Sequence, residues 1–147
     1  MKMTPLTKAL IGITVISIPS VEYGGTFVLR LLTGTLDSIN LVGLQQTFFR
    51  AGHGHAGVLL LLSLIAQILV DQTYLRMPLK LVVLLGAPAG TLLVSGGFFF
   101  SVLNETGMPN GLISLIYIGA VVMGVALVTL AVGLFLAARK DAASAAS

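Results

Sequence analysis

The sequence predicts an all-α integral membrane protein folded as a four-helix up-down bundle. Three observations lead there. The 147-residue chain is 56% hydrophobic and only 9% charged, whereas a soluble domain is about 25% charged. Its mean hydropathy is +1.05. Its apolar residues fall into four runs, each able to supply the roughly 20 residues that cross a hydrocarbon core. So few charges cannot cover a surface in water, and lipid must cover it instead.

The first span is expected over about 7–32. Lys2 and Lys8 before the apolar run Ala9–Ile18 imitate a signal peptide, but Ile18-Pro19-Ser20-Val21-Glu22 offers no convincing small-x-small cleavage site. A retained membrane helix is therefore expected. The second span is expected over about 46–70, the third over about 79–103 and the fourth over about 111–138. The connections TGTLDSIN, DQTYLRMP and NETGMPNG are short and rich in turn residues, which favours antiparallel neighbours. Small residues let helix backbones approach in lipid. Gly52 and Gly57 on the second span, Gly86 and Gly90 on the third, and Gly124, spaced from Ala120, on the fourth are the expected packing positions. Pro19 and Pro88 each remove a backbone donor and should kink their helices. Residues 1–138 thus read as one transmembrane domain, and RKDAASAAS at 139–147 as a polar, disordered tail.

Orientation follows from Lys and Arg near the span ends. With the N-terminus inside, the cytoplasmic side holds Lys2, Lys8, Arg76, Lys80, Arg139 and Lys140, and the other side holds only Arg30 and Arg50. Both termini are expected in the cytoplasm. The net charge of +3 comes from scattered residues without a basic run, so nucleic acid is not an expected partner. The absence of cysteine removes disulfides, thiolate metal sites and thiol nucleophiles.

Ionisable groups beside hydrocarbon are expensive, and they mark candidate sites. Glu22 follows Pro19-Ser20 and precedes Tyr23-Gly24-Gly25, a carboxylate beside locally weakened helix. It lies roughly 12 Å below the end of the first span at Arg30, while His53 and Tyr117 lie about 10 Å below the ends of theirs. Arg50 and His53 are three apart and share a helix face. Glu22, Arg50, His53 and Tyr117 are therefore the candidate ligand- or ion-binding residues, with Ser101, Asn104 and Glu105 nearby. The plain alternative for Glu22 is a structural ion pair with Arg50 or Arg30.

His55 is about 200° round a helix from His53. The two histidines, with Glu22, form a candidate metal set only if the GHGH segment is locally extended, where i and i+2 share a side. A single HxH carries little metal specificity. Haem ligated by two histidines of one chain is disfavoured because both lie on one span. A histidine with Met123 or Met108 as second ligand, or pairing across a symmetric dimer, stays open, although Met123 and Phe98 to Phe100 read more simply as packing residues.

The strings FFRAGHGHAGVLLLLSLIAQ and YGGTFVLRLL resemble small uncharacterised bacterial integral-membrane proteins of about this length. These have four spans, with an R-x-x-H-x-H-x-G segment opening the second. The resemblance covers most of the chain and implies a bacterial inner-membrane location without implying an activity. An arginine before histidines at a helix start is a looser likeness to the haem-copper oxidase superfamily. That superfamily needs histidines on several helices, so its function does not carry over.

Three functions remain in order. The first is a small inner-membrane protein, homo-oligomeric in lipid, that binds a small polar ligand, ion or proton in the outer half of the bundle. The second is an accessory subunit of a larger membrane complex, such as a respiratory one, with glycine faces docking other subunits. The third is a membrane redox protein or enzyme using a metal or haem. No nucleophile–base pair supports the third.

Overall fold

The computed structural model describes residues 3–35 and 41–146. Lys2 of the charge count, most of the first predicted connection and Ser147 lie outside the described residues. Within them the chain is all-helical. Helix α1 spans Pro5–Leu32, α2 Gly43–Leu69, α3 Met77–Ser101 and α4 Ser114–Ala145. All four are long and apolar enough to cross a membrane. Short 3-10 turns at Val70–Gln72 and Gly111–Ile113 follow α2 and precede α4.

The helix ends follow local chemistry. Thr4 caps α1 by accepting a hydrogen bond from Thr7 N at 3.1 Å, and Pro5 follows at the first helical position. Beyond α1, Gly34 adopts φ +68, the left-handed conformation that glycine takes without steric cost. Gln45 near the start of α2 accepts from Val42 N at 3.0 Å and donates to Val102 O at 2.9 Å. The start of α2 is thereby tied to the end of α3. Asn110 accepts from Leu112 N at 2.9 Å and opens the turn into α4.

The polar tail is a correction to the expectation. Helix α4 continues through it to Ala145. Alanine is the strongest helix former, and the segment is anchored to the α2–α3 connection. The Tyr74 hydroxyl donates to Asp141 Oδ1 at 2.7 Å, and Lys140 Nζ lies 4.1 Å from the Tyr74 ring centroid. The hydrogen bond to Asp141, and then its charge, hold the Tyr74 phenol above its ordinary range.

The helices pack mainly in chain order, with α3 between α2 and α4. Helix α3 is the most buried of the four and α1 the least. One core joins Ala66 and Val70 of the α2 end to Val83, Leu84 and Ala87 of α3 and to Met123, Ala126 and Leu130 of α4. A second joins Val28 and Leu31 to Phe49 and Val102. Edge-to-face ring pairs Phe48–Phe98 and Phe49–Phe99, at 5.7 Å and 5.2 Å, bind α2 to α3 beside it.

Helices α3 and α4 approach each other backbone to backbone. A Cβ on Gly90 would lie 2.9 Å from Gly119 O, and one on Gly119 would lie 2.7 Å from Val94 N. Gly86 faces Ala126 in the same seam, and Gly52 faces Phe98 and Phe99. Gly57 and Gly124 do not pack as expected, since a Cβ at either would meet nothing within 4 Å. The α4 contact face runs through Gly119, Met123, Ala126 and Leu130. That face is turned away from Ala120 and Gly124, because each residue advances the helix by about 100°.

Both prolines sit inside continuous helices. Pro88 has no N–H, so the α3 ladder offers Leu84 O no donor from position 88. Gln67 of α2 supplies one, its Nε2 donating to Leu84 O at 2.9 Å. Beside it, Ser63 Oγ and Thr91 Oγ1 lie 2.9 Å apart across the same seam. Ser63, Gln67, Thr91 and Ser95 are all buried. At the seam's end Lys80 Nζ meets Asp71 Oδ1 at 2.8 Å, and Thr4 N donates to Asp71 Oδ2 at 3.0 Å. This buried carboxylate ties the starts of α1 and α3 to the end of α2.

Candidate functional site

His53 is half-buried on α2, and α1 makes the room for its ring. A Cβ on Gly25 would lie 2.8 Å from His53 Nε2 and 2.9 Å from Cε1. The imidazole therefore rests against bare backbone. On α1 the positions Ser17, Ser20, Val21 and Gly24 are spaced 3, 1 and 3 apart, the spacing of one helix face. That face is turned toward His53.

The imidazole borders two cavities. The first, of about 370 Å³, lies between α1 and α2, and its lining includes Val21, Glu22, His53, Gly54 and Gly57. The second, of about 300 Å³, reaches α3 and includes Ser17, Ser20, His53, Thr91, Ser95 and Phe99. Val21, His53 and Leu60 belong to both linings. His53 is thus part of the partition between a groove with a carboxyl group and a chamber with hydroxyls.

Glu22 is exposed on α1 and lines the first cavity with His53. Among the described residues the one ion pair is Asp71–Lys80, so Glu22 is not held in a structural pair with Arg50 or Arg30. Arg50 is exposed on α2, three residues before His53 and on the same helix face. A carboxylate, a titratable imidazole and a guanidinium near one groove can exchange a proton, hold a cation or hold an anion, depending on protonation.

Other expected site residues lie elsewhere. Tyr117 is 68% exposed on α4, a helix whose chief neighbour is α3, and it lines neither cavity. Its depth matched that of His53, but its helix face does not. His55 Nδ1–H donates to Ala51 O, 2.8 Å away. Its ring stacks on Phe98, with centroids 4.9 Å apart. Helix α2 is unbroken through GHGH, so the extended conformation that would aim both imidazoles at one ion is not adopted. Among the described residues no group of three His, Asp or Glu side chains is placed to hold a metal. Asn104 bonds Met108 O at 2.7 Å, and Ser101 O accepts from Asn110 N at 2.8 Å. Both close the α3–α4 connection.

Sequence reasoning missed Ser17, Ser20, Thr91 and Ser95 as lining residues. Their signal was the i, i+3 and i, i+4 recurrence of hydroxyls on otherwise apolar helices. Gly25 had no such signal, because its part depends on how α1 is rotated against α2. No protein-family model, no curated protein and no solved structure matches this chain.

Proposed function

We propose that this chain is a small bacterial inner-membrane protein that binds a small polar ligand, ion or proton at His53, with Glu22 as its partner from α1. One observation carries the reading: Glu22 and His53 line the same groove, and neither has a hydrogen bond or ion pair within the described residues. Groups that serve only structure in lipid are normally paired. Glu22 holds charge or exchanges a proton, His53 is its partner across the groove, and Arg50 tunes both or holds an anion. The bundle runs up and down with both termini cytoplasmic, as the Lys/Arg bias directs, and assembles as a homo-oligomer.

The test is the purified protein in liposomes, under a pH gradient and then under K⁺ and Cl⁻ gradients, read by trapped dyes. Wild type is expected to respond to one of them. Glu22→Gln and His53→Ala should lose that response while the protein still accumulates and melts normally. Responses equal to wild type in both variants refute the reading.

The accessory-subunit reading draws on a different observation. An apolar cleft of about 400 Å³ opens between α1, α2 and α3, lined by Phe27, Val28, Leu31, Phe49, Phe99 and Phe100 among others. Purification in mild detergent separates the two readings, since a subunit brings a partner of different sequence in fixed ratio.

A further inference from the structure

The apolar cleft of about 400 Å³ and the cavity of about 300 Å³ beside His53 are two parts of one groove, since Gly24 and Phe99 line both. The groove follows a single face of α1 from Ser17 to Leu31. At about 1.5 Å per residue it is roughly 21 Å long, enough to pass through one leaflet, about half of a hydrocarbon core of roughly 30 Å. Helix α3 forms the opposite wall, and Phe49, His53 and Leu60 of α2 form the floor. Both parts open between α1 and α3 to the surroundings of the bundle. No polar atom reaches the surface of the part near the α1 C-terminus. In the other part the hydroxyls are engaged or covered. Ser17 Oγ donates to Thr14 O at 2.6 Å, Thr91 Oγ1 donates to Ala87 O at 3.1 Å, and Ser95 Oγ is buried.

Such a groove suits hydrocarbon better than a docking helix. Lipid gives helices no hydrophobic drive to associate, so a helix interface needs small residues for close approach or polar groups that bond across it. Here the walls are Phe27, Phe49, Phe99 and Phe100 with leucines, unlike the Gly90–Gly119 seam. At the mouth, Arg30 precedes the lining residue Leu31 in the last turn of α1. Its guanidinium has no hydrogen bond or ion pair among the described residues, and arginine holds phosphate through paired hydrogen bonds. We propose that the groove binds one acyl chain of a phospholipid, with the phosphate at Arg30. The tail then covers the α3 side of His53 and keeps it dry, which leaves the Glu22 groove as the side from which a ligand approaches the imidazole. The lipid site lies beside the His53 site and is tested without it.

Purified protein in mild detergent is given palmitoyl-oleoyl phosphatidylglycerol and weighed by native mass spectrometry. A single phospholipid per chain should stay bound. Gly24→Leu should remove it by filling the groove. Gly12→Leu should not, since Gly12 lies on α1 outside the groove, and a Cβ at either glycine meets nothing within 4 Å. Arg30→Gln should weaken binding about tenfold, the loss expected for a hydrogen bond to a charged group. Equal retention in Gly24→Leu and Gly12→Leu overturns the proposal. So does an unchanged affinity in Arg30→Gln, or the release by Gly24→Leu of a protein subunit in place of a lipid. The chain has no tryptophan, so a second measurement decides the matter where Gly24→Leu does not accumulate. In phosphatidylcholine liposomes with a small share of brominated phosphatidylglycerol, Phe100→Trp in the groove should be quenched more than Val128→Trp, which is 64% exposed on α4. Equal quenching also overturns the proposal. Neither measurement uses an ion gradient, so an empty groove and an inert His53 are told apart.

Discussion

Gln67 Nε2 donates to Leu84 O at 2.9 Å, and Leu84 is the residue four before Pro88. The side chain of one helix thereby completes the backbone of another at the place where proline interrupts it. The amide orientation is settled by chemistry, because Leu84 O can only accept. Gln67 Oε1 is left buried without a partner among the described residues. The first prediction is a double-mutant cycle. Gln67→Leu should destabilise the protein by about 1 kcal/mol, near the upper range for side-chain hydrogen bonds in membrane proteins. Pro88→Ala restores the missing N–H, so in that background the cost of Gln67→Leu should fall close to zero. Unfolding in mixed micelles measures it. An unchanged cost in the alanine background shows that the contact does not serve the proline break.

The second prediction concerns the α3–α4 seam. At Gly90 and Gly119 the atoms that a Cβ would meet include backbone, at 2.9 Å and 2.7 Å, and backbone does not swing aside as a long side chain does. Gly90→Ala and Gly119→Ala should each cost about 1–3 kcal/mol, the usual penalty for overpacking. Gly124→Ala meets nothing within 4 Å and should be neutral or stabilising by up to about 1 kcal/mol through helix propensity. Melting temperatures of the three variants test this contrast in sign.

The four spans were legible because a 20-residue apolar run has few other uses. Which face of a span meets its neighbour was much less legible. Ala120 and Gly124 have the spacing of a packing motif, yet Gly119 lies at the seam. A shift of one residue turns the face by about 100°, and only the partner helix decides between them. Tyr117 was grouped with His53 by depth alone, which says nothing of rotation. The tail was read by its polarity, although its alanines favour helix. The polar seam left clearer marks: Ser63 and Gln67 are four apart, as are Thr91 and Ser95, and Pro88 announced a freed carbonyl at Leu84.

The third prediction concerns orientation. On the six-to-two Lys/Arg bias across the span ends, both termini are expected in the cytoplasm. A reporter active only in the cytoplasm, fused to the C-terminus, should be active, and a periplasm-dependent reporter at the same place should be silent. The opposite pattern reverses the bundle. His53 would then lie in the cytoplasmic half.

The fourth prediction tests how His53 is held. Its ring lies where a Gly25 side chain would be, 2.8 Å from the Cβ position to Nε2, whereas a Cβ on neighbouring Gly24 would meet nothing within 4 Å. Gly25→Ala should therefore displace the imidazole and weaken the ion or proton response in liposomes, and Gly24→Ala should leave it near wild type. His55 serves as the internal control. It bonds Ala51 O at 2.8 Å and stacks on Phe98, so His55→Ala should lower stability slightly while sparing the response, and His53→Ala should abolish it. Equal loss from both histidine variants, with metal found in the purified protein, would mean that the GHGH segment leaves the helix to chelate. Occupancy should then fall on acidification, because a protonated imidazole cannot coordinate. An intact response in Gly25→Ala would show instead that His53 reaches its ligand from another rotamer, and the contact with α1 would be packing alone.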